Sequence, residues 1–211
     1  RVIADEYLIS KGIDQKVPPI SIIDEKFHHN VKKIKRKRTK AAEVEHAIRH
    51  FIDEKYDEDP ELYASFSEIL EEILKKFKDN WEKIYEKLEE LRKKIKNIEK
   101  EPTYGLHRKK QMPFFRILKK EVYEDKKLSE DDIGRLVNLT QNLYLVIERE
   151  LKLSDFWDNI PARNRLKGEL VRLLVSEEFK DLPNIIKNRN AIVSRIMEVA
   201  ETNNDIILYA E

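Results

Sequence analysis

The stretch KAAEVEHAIRHFIDEKYDEDPELYASFSEILEEILKKFKDNW, Lys40 to Trp81, decides the fold class. Apolar residues recur at helical spacing on both sides of an acidic turn that ends in proline. Upstream, Ala42, Val44, Ile48, Phe51 and Ile52 give one helix an apolar stripe, interrupted by His and Glu. At the turn, Asp57-Glu58-Asp59-Pro60 reads as a stop and a start. Asp59 is placed to cap the next helix, and Pro60 to occupy its first position, where a missing N–H costs nothing. Downstream, Phe66, Leu70, Ile73, Phe77, Trp81, Ile84, Leu88, Leu91, Ile95 and Ile98 follow spacings of 4, 3, 4, 4, 3, 4, 3, 4 and 3. From Phe77 onward this is a heptad seam, preceded by a one-step slip of the stutter kind. The spacing predicts one helix of about 40 residues, on the order of 60 Å long at 1.5 Å per residue. Another helix of the same chain is expected to cover its seam.

Outward from this stretch, a helix is expected over about residues 2–11 with Gly12 as its stop, then an extended linker from Asp14 to Ser21 around Pro18-Pro19. Further helices are expected from Asp24 to about Lys35 and from the N-cap Thr39 to Tyr56. Glu101-Pro102 closes the long helix, and Thr103 to Gln111 reads as a polar loop. Pro113 opens a helix carrying Phe114, Phe115, Ile117, Leu118 and Val122. Ser129-Glu130-Asp131-Asp132 is a capping-box-like start for a helix to about Leu151. After the junction Asp155–Asn159, Pro161 starts a helix to about Glu178, and Pro183 a last one to about Thr202. Ile206–Tyr209 reads as a short strand or a docked arm. Every proline after Pro19 falls at a helix boundary, so local chemistry and period agree. The predicted class is all-α: a helical bundle with one long coiled-coil-like helix or helical hairpin, about seven helices in all. Residues 1–100 and 101–211 form two regions or one continuous domain.

Composition supports this class. Charged residues make up 39% of the 211, hydrophobic residues 40%, and only four glycines occur, which favours amphipathic helices over a sandwich or barrel. No run approaches the roughly 18 apolar residues of a membrane span. The absence of cysteine excludes a disulfide framework and a thiolate zinc site, and fits a cytoplasmic protein. The opening RVIADEYLIS lacks a signal-peptide layout and an initiator methionine, and begins in mid-helix register. The expectation is a piece of a longer polypeptide.

Sites of chemistry are scarce. His46 and His50 stand four apart, as in zinc helices, but Ala47 occupies the place of the metalloprotease Glu and no third ligand follows. The adjacent His28 and His29 point about 100° apart on a helix and do not chelate together. Phosphate loops need clustered glycines, whereas Gly12, Gly105, Gly134 and Gly168 are isolated. No catalytic, cofactor-binding or metal-binding residue is assigned. The strongest local signal is VKKIKRKRTK, Val31 to Lys40, with seven cations in ten residues: Lys32, Lys33, Lys35, Arg36, Lys37, Arg38 and Lys40. Two readings stand. Either the cluster is solvated or paired within the chain, with the acidic Asp53–Glu61 region near in sequence, or it contacts nucleic-acid phosphates. No aromatic residue interleaves with these cations, so the expected contact is with backbone and not with bases. Overall, 42 basic residues balance 41 acidic ones, and no domain-wide basic field exists. Trp81, Trp157, Phe114 and Phe115 read as core or interface anchors.

Three segments carry a family resemblance: Ala41–Glu82, Gly105–Leu118 (GLHRKKQMPFFRIL) and Phe156–Val175 (FWDNIPARNRLKGELVRLLV). In this order and spacing the chain resembles, from about Tyr7 to Asn203, the C-terminal helical region of the restriction (R) subunit of type I restriction-modification enzymes. The resemblance implies a parent with a nuclease domain and two RecA-like motor domains, which uses ATP and Mg2+, translocates duplex DNA and cleaves it. Those motifs lie outside this sequence, so no catalytic residue carries over. For this region the resemblance implies assembly with the methyltransferase and specificity subunits, and a role in guiding DNA. Trp157 and Arg163, near one helix junction, are the candidate interface residues. A third reading is a helical scaffold without DNA contact.

Overall fold

The structure, a computed structural model, describes residues 22–124 and 126–210. The expected helix over 2–11 and the linker Asp14–Ser21 lie outside them. Among the described residues there are nine α-helices and no strand. They are α1 (Glu25–Lys33), α2 (Lys37–Lys55), α3 (Pro60–Lys76), α4 (Trp81–Lys96), α5 (Met112–Tyr123), α6 (Glu130–Leu151), α7 (Ile160–Leu174), α8 (Ile185–Thr202) and α9 (Asn204–Tyr209). Single 3-10 turns occur at Tyr56–Glu58, Ile98–Lys100 and Phe156–Asp158. The class is all-α. The described residues divide into two compact units, the first up to Asp53 with Phe66–Lys100, the second Glu54–Ser65 with those from Glu101 onward.

The long helix is the main departure from expectation. It is broken between α3 and α4 at the step where the heptad register slips. Asp79 takes the left-handed conformation (φ 67°), and the Asn80 side chain caps α4 by accepting from Lys83 N at 3.1 Å. Asp and Asn compete with helical backbone and tolerate positive φ, so Lys78-Asp79-Asn80 is turn chemistry placed inside an apolar seam.

In the first unit, α1 begins at Asp24, whose carboxylate accepts from Lys26 N at 2.8 Å. Helix α2 begins two residues before Thr39 and so includes Lys37 and Arg38. The buried residues keep helical spacing: Phe27 and Val31 on α1, Ala41, Val44, Ile48 and Ile52 on α2, Phe66, Leu70 and Ile73 on α3, Ile84, Leu88, Leu91 and Ile95 on α4. Each fully buried Leu, Ile or Phe contributes about 1.5–3 kcal/mol of transfer free energy. Two charges are buried among them. Arg92 pairs with Glu89 and also donates to Ile22 O at 3.0 Å. His28 Nδ1 lies 2.8 Å from Glu89. Burial lowers the His28 pKa, and the Glu89 carboxylate opposes that shift.

In the second unit, α5–α8 enclose one core. It holds Phe114, Ile117 and Leu118 of α5, Leu136, Leu139, Leu143 and Ile147 of α6, Leu166, Leu170 and Leu174 of α7, and Ile192 and Ile196 of α8. Helix α6 opens on a complete capping box: Ser129 Oγ accepts from Asp132 N at 3.1 Å, and Asp132 accepts from Ser129 N at 3.0 Å. Helix α7 stops at Leu174, short of Glu178. The chain turns at Ser176, whose carbonyl accepts from Phe179 N at 3.1 Å, and Phe179 is buried in the core. The tail forms a short helix, α9, docked on the core, and not a strand. Ile207 N donates to Asn203 O at 2.8 Å, and the Ile207 side chain is fully buried.

The acidic turn is held within this second unit. Asp59, only 6% exposed, caps α3 by accepting from Leu62 N at 3.2 Å and pairs with Arg116. Glu61 pairs with Arg195 and with Lys120 at 3.0 Å. Arg195 also reaches Glu121 at 2.7 Å, and Asn203 donates to Glu58 O at 2.8 Å. These carboxylates therefore work as a cap and as internal counter-ions.

Candidate functional site

The basic stretch runs over the end of α1, the turn Ile34–Arg36 and the first turn of α2. The local reason is capping. The chain leaves α1 at Ile34 in an extended conformation (φ −71°, ψ 120°), its N–H still bonded to Val31 O, and re-enters helix at Lys37. Val31 is buried and Ile34 half-buried, so the cations between and beyond them face outward. Lys32, Lys33, Lys35 and Arg36 are exposed and form no ion pair with a described residue.

The remaining three cations meet α4. Lys37 Nζ bonds Glu82 at 2.7 Å, with both side chains mostly exposed. Arg38 lies over the Trp81 ring, 5.3 Å from its centroid, and Lys40 Nζ lies 4.9 Å from the centroid of Tyr85. The aromatic neighbours that the stretch lacks in sequence are thus supplied by another helix. Trp81 and Tyr85 are half-buried, and each is partnered by a cation.

The junction of α6 and α7 is the second candidate surface. Phe156 is buried in the core and meets the half-buried Trp157 edge to face, with centroids 4.9 Å apart. Trp157 Nε1 donates to Asn204 Oδ1 at 3.1 Å, which ties the junction to α9. Asn159 caps α7, accepting from Ala162 N at 3.0 Å. Arg163, half-buried one turn into α7, makes no ion pair with a described residue. Two residues missed in the sequence stand out around this anchored base: Leu153 and Ile160, 46% and 59% exposed. Ile160 lines an open groove of about 510 Å³ together with Ser154, Asp155, Asp158, Asn159 and Pro161. An aliphatic residue at a helix start gives no sequence signal of its exposure.

The other sequence candidates take plain positions. His46 and His50 are on the exposed side of α2. Among the described residues, no group of three or more His, Cys, Asp or Glu is arranged to hold a metal ion. A Cβ added at Gly105, Gly134 or Gly168 meets no protein atom within 4 Å, and Gly105 takes a positive φ of 82°. No described helix is long and apolar enough to cross a membrane.

Residues 4–205 match the family described as type I restriction enzyme HindI endonuclease subunit-like, C-terminal. Among curated proteins and among solved structures, nothing matches. The match spans nearly the whole sequence, and it agrees with the three segments that carried the resemblance. The chain belongs to the family formed by the C-terminal region of HindI-like type I restriction enzyme endonuclease subunits.

Proposed function

We propose that this region is an assembly module, coupling the DNA-translocating, DNA-cleaving part of its subunit to the methyltransferase–specificity core of the same system. ATP hydrolysis and cleavage fall to other parts of the enzyme. The observation that carries the reading is the α6–α7 junction, where Leu153 and Ile160 are held in water on a base fixed by Phe156, Trp157 and Asn204. Large apolar side chains exposed on a rigid support suit a protein interface, where a few such anchors carry most of the affinity. Trp157 positions this surface, and Arg163 lies beside it. The double substitution Leu153→Ser/Ile160→Ser should abolish co-elution with the cognate methyltransferase–specificity complex while leaving the helical circular dichroism intact. Undiminished co-elution would refute the junction as the interface.

A second reading rests on the four exposed cations Lys32, Lys33, Lys35 and Arg36, which we infer contact the phosphates of DNA. Four phosphate contacts contribute about 3–4 to the slope of log K against log salt. Replacing all four by Gln should flatten the slope by that amount on every duplex alike, and an unchanged slope would refute the contact.

A further inference from the structure

Trp81 and Tyr85 stand four residues apart on α4, so their rings share one side of that helix. Arg38 and Lys40 lie over those rings at 5.3 and 4.9 Å, both within the range of cation–π attraction. Lys37, directly before Arg38 in sequence, pairs with Glu82. Arg38 is an exposed residue. The indole holds its planar guanidinium group in place before any ligand arrives, and the planar group is itself a surface on which a base can stack. Lys32, Lys33, Lys35 and Arg36 continue the same basic stretch with no described counter-ion.

Cations for phosphates combined with π-faces for bases form the arrangement that holds unpaired strands. A duplex presents its phosphates but keeps the faces of its bases within its own stack. We propose that the α1–α2 turn and the adjoining side of α4 bind single-stranded nucleic acid, with the exposed lysines and Arg36 on phosphates and a base stacked on the Arg38–Trp81 pair. This rests on the phosphate-contact reading above and adds to it a preference for an unpaired strand.

The test is fluorescence anisotropy on the full chain, with a short mixed-sequence single strand and the same sequence as a blunt duplex. Arg38→Lys keeps the charge and removes the planar group; Trp81→Leu removes the ring beneath it. The unaltered chain should bind the single strand more tightly than the duplex. Each substitution should weaken the single strand about tenfold, within the roughly 1–3 kcal/mol that stacking one base supplies, and leave the duplex unchanged. Lys35→Gln/Arg36→Gln should weaken both ligands. If Arg38→Lys leaves single-strand affinity intact, or weakens both ligands equally, the stacking site is refuted and the phosphate contact survives. If Lys35→Gln/Arg36→Gln changes neither ligand, both readings fail. Arg38 is a surface residue, so its variant decides the outcome even if Trp81→Leu disturbs folding.

Discussion

Replacing Arg116 by Gln tests whether the acidic turn is a structural element satisfied from within. Asp59 is 6% exposed and holds two partners, the Leu62 N–H and the Arg116 guanidinium. Arg116 also reaches Glu101 at 3.5 Å. Burial is the largest influence on the Asp59 carboxyl and pushes its pKa above the ordinary value, with the Arg116 charge the first of the forces pulling it back. Arg116→Gln strips a buried carboxylate of its counter-charge. Removing one partner of a fully buried pair costs about 3–5 kcal/mol. The Arg116 side chain keeps 14% exposure and Asp59 keeps its cap bond, so the low end, about 3 kcal/mol, applies at neutral pH. At about 2–4 °C per kcal/mol for a domain of this size, Tm should fall by about 6–12 °C. The pH dependence has a definite sign. An acid whose folded pKa lies above its unfolded value loses stability as pH rises through the folded value. The substitution raises that value further. The deficit is therefore full at pH 7 and shrinks as pH falls toward 3.8, the ordinary Asp value. Adding Asp59→Asn should recover most of the loss, because Asn still caps the helix and carries no charge. Thermal and urea unfolding at pH 7 and pH 5 measure this. A loss below about 1 kcal/mol, or a deficit that grows on acidification, would refute the reasoning.

Other consequences are simpler. Leu143→Ala, at a fully buried position of α6, should cost about 2–5 kcal/mol in urea unfolding, the transfer term plus a cavity. Asn80→Ala removes the cap of α4 and should cost about 1 kcal/mol, whereas in one continuous helix Ala would be the better residue and stability would rise. Leu153→Ser/Ile160→Ser should change stability by no more than about 0.5 kcal/mol per site, since both side chains already face water.

Several helix boundaries were legible from backbone chemistry, although Thr39, read as an N-cap, lies two residues inside α2. Asp59-Pro60, Ser129 with Asp132, and Asn159 before Pro161 all start helices, because caps and proline act on their immediate neighbours. The break at Asp79-Asn80 was written in the same code, but the apolar period ran through it and the slip looked like a stutter in a continuous helix. Period alone does not separate a stutter from a turn that happens to preserve the seam. The strand reading of Ile206–Tyr209 failed for another reason: four apolar residues are too few to distinguish strand from helix, and α9 is decided by where Ile207 is buried. At the candidate surfaces, charge density was visible at Lys32–Lys40 because it is local. Its aromatic partners Trp81 and Tyr85 stand more than forty positions downstream, and a single sequence carries no record of that pairing. Trp157 was legible as an anchor, while the exposure of Leu153 and Ile160 depends on which way each helix turns its faces.

The most direct test of the central claim is size-exclusion chromatography with light scattering, on the chain alone and mixed with its cognate methyltransferase–specificity complex. Assembly through this region predicts co-elution at the summed mass, lost in Leu153→Ser/Ile160→Ser. Separate elution of the unaltered chain at micromolar concentrations would contradict it.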